Sequence, residues 1–210
     1  MRIALFGGSG GLGSKLTPYL KEKYEVLALG SKDVQIENEQ EVSQFFAQEN
    51  IDIVINMAVV SHNAMLHKLD EDCMKKQLDV NILGAANILK HCLPKMREKN
   101  FGRIILTSSI LSKKPVQGAA IYSGCKAFID NLVKTAALEN AKYNITCNSI
   151  VLGYCDGGLA HKLNKTFLEE VINSIPLKRL GAVKEIYQAI DFLIETEYIT
   201  AANLPLTGGL

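Results

Sequence analysis

Arg2-Ile3-Ala4-Leu5-Phe6, Gly7-Gly8-Ser9-Gly10-Gly11-Leu12-Gly13 and Ser14-Lys15-Leu16-Thr17-Pro18-Tyr19-Leu20 follow one another at the start of the chain. The first run is short, apolar and stopped by glycine, which is the pattern of a buried strand. The last run has helical character. Between them lies a turn in which glycines let the backbone come close to a ligand. A helix N-terminus just beyond it supplies unpaired N–H groups and the positive end of the helix dipole. Strand, glycine turn and helix start in this order form a cradle for the phosphates of a nucleotide. The spacing Gly7-x-x-x-Gly11-x-Gly13 differs from the Gly-x-Gly-x-x-Gly form.

Moving outward, strands and helices alternate. Glu25–Leu29 reads as a second strand. Gln35–Asn50 reads as an amphipathic helix and Ile51–Asn56 as a buried strand. Asp70–Pro94 reads as one long helix with an apolar stripe of Leu78, Ile82, Ala85, Ala86, Leu89 and Leu93. A strand then ends at Thr107, a helix runs from Tyr122 to Asn140, and Asn144–Leu152 is another strand. Val183–Glu195 is an amphipathic helix, and Ala201–Leu210 a short strand and tail. This alternation predicts an α/β fold with a parallel, doubly wound sheet between two helix layers, in one domain over residues 1–210. The tip of the second strand carries Gly30, Ser31 and Lys32 rather than an acidic residue. An acidic residue there would favour NAD, so this tip leans towards NADP.

With 48% hydrophobic and 21% charged residues, the composition fits a globular domain. The net charge of +1 and the lack of a basic block argue against nucleic acid as a partner. No apolar run reaches the ~18 residues of a membrane span. Nor does the N-terminus have a signal peptide's longer apolar core and cleavage site, so a cytoplasmic location is expected. The five cysteines include no Cys-x-x-Cys, and the four histidines show no zinc-ligand spacing, so no disulfide framework or metal is expected.

The chemistry concentrates in Thr107–Lys126, TSSILSKKPVQGAAIYSGCK. A strand delivers Ser108 and Ser109, a loop with Pro115 and Gly118 follows, and Tyr122 and Lys126 lie one helical turn apart. A phenol titrates near ~10. An adjacent ammonium favours the phenolate, so Lys126 is expected to lower the pKa of Tyr122.

Taken together, these features resemble the short-chain dehydrogenase/reductase family across essentially the whole chain. Gly7, Gly11 and Gly13 match its glycine turn. Asn56-Met57-Ala58-Val59 stands where that family has Asn-Asn-Ala-Gly, and Asp79-Val80-Asn81 matches the helix carrying its catalytic asparagine. Tyr122-Ser-Gly-Cys-Lys126 matches Tyr-x-x-x-Lys. Ser109 precedes Tyr122 by 13 positions, the family spacing, which favours Ser109 over Ser108. Residues 175–181 and Thr207-Gly208-Gly209 also look like family segments, closest in flavour to 3-oxoacyl-carrier-protein reductases.

The resemblance implies a Rossmann-like fold and an NAD(P)-dependent oxidoreductase, with NADP the preferred cofactor. Tyr122 would be the general acid or base, and Lys126 its partner and a ribose ligand. Ser109 would be the donor to the substrate oxygen, and Asn81 would hold a water behind Lys126. Cofactor contacts would come from Gly7, Ser9, Gly10, Gly11, Leu12, Gly13, Ser31, Lys32, Asp33, Val34, Asn56, Met57, Ala58, Gly153 and Tyr154, besides Tyr122 and Lys126. Asp33-Val34 resembles the pair that follows the family's third strand, yet here it comes straight after the second. A helix and strand are therefore shortened or missing on the adenine side.

Phe6, Met57, Val59, Leu152 and Cys125 depart from the usual residues, with Val59 expected to crowd the ribose side. The substrate would be a small carbonyl or alcohol, either a carrier-linked 3-oxoacyl group or a keto-sugar. A lid is expected at about 154–178, including Leu159, His161, Lys162 and Leu163. Ser61, His62, Leu111 and Gln117 are expected to line the pocket. A homodimer or homotetramer is expected; Ala136, Ala137 and Leu138 and Ile190, Phe192 and Leu193 are apolar enough for its faces and equally for ordinary core. The alternatives are a silent dinucleotide sensor or a structural subunit. The complete Asn81, Ser109, Tyr122 and Lys126 set argues against the sensor.

Overall fold

The computed structural model describes residues 1–158, 160 and 164–210. Six strands pair in the order β2-β1-β3-β4-β5-β6, every pair parallel: β1 Arg2–Phe6, β2 Glu25–Leu29, β3 Ile53–Asn56, β4 Gly102–Ser109, β5 Ile145–Leu152 and β6 Asn203–Leu206. Parallel strands need crossovers, and helices cover both faces. Alternation along each strand sorts the core. Ala4 and Phe6 face α2 (Glu39–Gln48), α4 (Gly84–Lys99) and α5 (Ala120–Asn140). Ile3 and Leu5 face α1 (Gly13–Lys21) and α7 (Val183–Glu195).

Strand order reverses at β1, whose neighbours are β2 and β3, so the crevice of a doubly wound sheet lies beyond its carboxyl end. Among the described residues no strand lies outside β2, and one helix, α2, joins it to β3. The shortened adenine side expected from Asp33-Val34 is therefore the loss of an outer strand and its helix. Phe6, in place of a threonine, has become core: its ring packs 5.6 Å edge-on against Phe45 and 6.0 Å from Phe46 of α2.

Two helices differ from expectation. The amphipathic stretch 35–50 is helical only from Glu39, because the Asn38 side chain caps it, accepting from Gln40 N (3.1 Å) and Glu41 N (3.4 Å). The expected single helix from Asp70 is α3 (Glu71–Leu78), a π-helical turn (Asp79–Leu83) and α4, which runs past Pro94 to Lys99. Proline removes only the bond to the carbonyl of Lys90, which lies on the exposed side. Of the expected stripe Ala85 and Leu89 are core; the wider π turn shifts the rest of the buried face, so Val80, Asn81, Ile88 and Cys92 are buried while Leu78 is 36% exposed. Of the six residues apolar enough for an oligomer face or for core, Ala136, Ala137, Ile190 and Leu193 are core; only Leu138 and Phe192 are exposed. All five cysteines are free.

The sheet is pinned at its amino edge by Arg103, 1% exposed. It donates to the carbonyls of Gly102 and Asn144 (2.9 Å each) and Ile194 (3.2 Å), and pairs with Glu197 at 3.2 Å. Replacing Arg103 with Ala removes its donors to three carbonyls, of which that of Asn144 keeps Gly102 N at 3.3 Å. We expect a loss of about 3 kcal/mol in stability, measured as a lower urea midpoint at unchanged slope.

Candidate active site

Because all strands are parallel, their carboxyl ends lie along one edge. Phe6 is level with Leu29 and Asn56, Asn56 with Leu106, and Ser109 with Leu152. The glycine turn, the tips of β2 and β3, Ser109 and Gly153 therefore gather there.

The turn is held by backbone packing. Gly7 sits at φ +78°, and a Cβ there would stand 2.5 Å from the nitrogen of Ala58. A Cβ on Gly13 would stand 2.1 Å from the Gly7 carbonyl oxygen, and one on Gly8 2.8 Å from Cα of Ala28. The helix that follows has Leu12 at its N-cap and no side-chain cap; Ser14 N already donates to the Gly10 carbonyl at 2.8 Å, and the remaining N–H groups of the turn and first helical turn are the ones that could meet an anion. At the tip of β2 a Cβ on Gly30 would meet Ser9 Oγ at 2.1 Å and Ser9 Cβ at 2.9 Å, so a side chain there would have to displace Ser9. Ser31 and Lys32 are exposed beside it. Lys32 has no ion-pair partner among the described residues. Asp33 accepts from Gly30 N at 2.7 Å through one carboxylate oxygen, and Val34 is buried. Asn56 accepts from Ala58 N at 3.0 Å, and Met57 is buried in the core on the α1 side.

The loop after β5 closes over this turn. A Cβ on Gly11 would stand 2.8 Å from Cα of Gly158, and Lys15 Nζ donates to the Asp156 carbonyl at 3.1 Å. Neither contact was legible as a pair in the sequence; the doublet Gly157-Gly158, both at positive φ, was the only signal. Of the expected lid, Leu159, His161, Lys162 and Leu163 lie outside the described residues. Beyond them α6 (Lys165–Ser174) is capped by Asn164.

The structure brings Ser109, Tyr122 and Lys126 together at the end of β4. Ser108 and Ser109 face opposite ways. Ser108 Oγ donates to the Lys126 carbonyl at 3.2 Å, whereas Ser109 Oγ accepts from Leu111 N at 3.2 Å and bonds the Tyr122 phenol. Lys126 is 3% exposed; its Nζ donates to the Thr107 carbonyl at 2.7 Å and lies 5.7 Å from the centre of the Tyr122 ring. Burial pushes Lys126 down to about 8, while Cys125 and Asp130 hold it up. The expected lowering of Tyr122 is not found. Burial raises its phenol, the hydrogen bond with Ser109 opposes that, and Lys126 is turned towards Thr107.

Asn81 sits in the π turn, 4% exposed. Its side-chain amide ties down the loop after β3: Oδ1 accepts from Val60 N (3.0 Å) and Nδ2 donates to Val60 O (2.7 Å). That loop is joined to the one before α5 by Ala64 N to Gly118 O at 2.9 Å. Met65, Leu66 and Val116 stand exposed on the joined rim. Ser61 bonds Asn63, the His62 carbonyl accepts from Gln77, and Gln117 is exposed. Val59, expected at the ribose side, is 37% exposed. Asp130, unforeseen in the sequence, lies on the Tyr122–Lys126 face of α5 and is 1% exposed.

This is a doubly wound α/β protein of the Rossmann type, with its polar cluster at the carboxyl edge of the sheet. Residues 16–210 match a family model described as Enoyl-(Acyl carrier protein) reductase. An acetoacetyl-CoA reductase of Allochromatium vinosum is 33% identical over 76% of this chain. The match spans 66% of that relative, just under two thirds of its length. A 3-oxoacyl-[acyl-carrier-protein] reductase of Thermotoga maritima is 30% identical over 95% of this chain and 79% of its own. A solved structure of a small-chain dehydrogenase in complex with NADPH superposes with a TM-score of 0.90 at 23% identity, covering 100% of this chain and 97% of that one. The chain belongs to the short-chain dehydrogenase/reductase family.

Gly13→Ala tests the backbone cradle. The added methyl meets a fixed carbonyl, so α1 must shift, and we expect a cost of about 1–3 kcal/mol, read as a lower thermal midpoint.

Proposed function

We propose that the chain is an NADP-dependent reductase that delivers hydride to the ketone carbon of a 3-oxoacyl thioester. The observation that carries this reading is the Ser109, Tyr122 and Lys126 cluster facing a glycine turn across the sheet's carboxyl edge. The relatives named for acetoacetyl-CoA and 3-oxoacyl-carrier-protein reduction support the substrate class, as does the apolar rim of Met65, Leu66 and Val116. They give no support to a keto-sugar.

The residues present fit a dinucleotide. The turn from Gly7 to Gly13 and the uncapped start of α1 would hold the pyrophosphate. Asn56, Met57 and Ala58 would border the adenosine side with Asp33 and Val34, and Ser31 and Lys32 would take the 2′-phosphate. Gly153 and Tyr154 would flank the nicotinamide, and Lys126 would reach its ribose. When bound, the cofactor supplies the hydride.

The protein supplies the proton and the field. Tyr122, its phenol kept protonated by burial, donates to the carbonyl oxygen as charge develops there. Ser109 accepts from Leu111 N, and its own O–H, directed at the Tyr122 phenol without substrate, would turn to donate to the same carbonyl oxygen. The Lys126 ammonium stabilises the phenolate left behind. Asn81 acts by holding the loop after β3 in place. The protein would work in the cytoplasm as a homodimer or homotetramer. Supporting this, no helix among the described residues is long and apolar enough to cross a membrane, and Leu138 and Phe192 are exposed.

Two variants test the reading. Tyr122→Phe should keep NADPH binding, followed by nucleotide fluorescence, while acetoacetyl-CoA reduction falls by about 10²-fold or more. Full turnover in that variant would remove Tyr122 as proton donor. Lys32→Glu should lower the NADPH-over-NADH preference in kcat/KM by about tenfold, the effect of losing roughly 1.4 kcal/mol of phosphate contact. An unchanged preference would show that the 2′-phosphate is not read by Lys32.

A further inference from the structure

Tyr122, Lys126 and Asp130 are spaced four apart on α5 and share one face of the helix. The Asp130 carboxylate is 1% exposed and is bonded from outside its own helix. Ser112 Oγ, from the 3-10 turn directly after Ser109, donates to Oδ2 at 2.6 Å. Ser149 Oγ, from β5, lies 3.4 Å from Oδ1 and also bonds Asn203 of β6. Lys113 Nζ stands 3.4 Å from Oδ2, on a side chain that is 57% exposed.

Lys113 from the loop pairs with this carboxylate, and Lys126 stands one helical turn before it on the same face of α5, its ammonium bonded to the Thr107 carbonyl rather than to Asp130. Lys126 is otherwise met by the face of the Tyr122 ring and the thiol Cys125. A buried ammonium with only a carbonyl and a ring for company loses its proton readily.

We propose that Asp130 is the positioning residue of this site: a buried carboxylate one turn beyond Lys126 that keeps the lysine charged and clamps the loop after Ser109 to the Tyr122 helix. Asp130 touches no reacting atom. It acts through Lys126, whose ammonium it sustains against burial, and through Ser112, which sets where the chain leaves Ser109. The catalytic value of this device rests on the proposed reductase reading, but the charge coupling does not.

The test follows the Lys126 ¹³Cε signal against pH in protein labelled with ¹³C-lysine, without cofactor or substrate. The signal is assigned by its loss in Lys126→Arg. The parent midpoint is expected at about 8. Removing the anion favours the neutral amine, so in Asp130→Asn the midpoint should fall by about one pH unit, with Asp130→Glu restoring it. The alkaline limb of kcat/KM for acetoacetyl-CoA with NADPH should move down by the same amount, because turnover needs the charged lysine. An Asp130→Asn midpoint equal to the parent's overturns the proposal, even if activity drops at every pH. A shifted midpoint in a protein that reduces no 3-oxoacyl thioester supports the proposal and defeats the functional reading. Should circular dichroism show Asp130→Asn unfolded, Lys113→Gln decides. Freed of its competing cation, Asp130 should then raise the Lys126 midpoint, and a midpoint that stays put or falls overturns the proposal.

Discussion

Burying an ammonium group constrains this site more than any other single feature. Lys126 is 3% exposed, and a charge in that position is tolerated only if polar groups replace the lost water. The end of β4 supplies a carbonyl, α5 supplies the tyrosine ring, and Ser108 near the end of β4 bonds the main chain of α5 at Lys126. Those demands bring the end of β4 and the start of α5 together. Ser109 and Tyr122 are neighbours as a result, though 13 positions separate them in the chain.

Much of this was legible in the residues. The apolar runs around Ile3–Phe6, Ile53–Asn56 and Ile104–Leu106 are fully buried strands, which hydrophobicity alone reveals. Gly7 and Gly13 could be read because their environments tolerate no Cβ. What escaped depends on contacts between distant segments. The π turn at Asp79–Leu83 leaves no periodic trace, so of the buried face of α4 Ala85 and Leu89 were read while Ile88, Cys92 and Met96 were missed. The Tyr122 phenol was expected to be lowered by its lysine. Burial, which spacing cannot show, works the other way. Asp130 gave only a faint signal, an acid four residues past a lysine, because its partners Ser112 and Ser149 come from a loop and another strand.

The adenine side shows how a fold absorbs a deletion. With the outer strand gone, Asp33 turns back on Gly30 and Val34 enters the core. The aromatic trio Phe6, Phe45 and Phe46 fills space under a single crossover helix. The carboxyl ends of β1, β3 and β4 keep their register, so the reacting end of the site is untouched by the loss.

Losing that strand has another consequence. β2 becomes the rim of the sheet, and its outer backbone groups have no strand beside them. Such a rim is a template on which another chain can add a strand. This one is only five residues long, and charge stands at both ends: Lys23 and Glu25 where it begins, Lys32 and Asp33 just beyond its end. Brevity and flanking charge are the means by which sheets discourage edge-to-edge growth, so Lys32, offered above as the reader of a phosphate, also helps keep the sheet from growing by accretion.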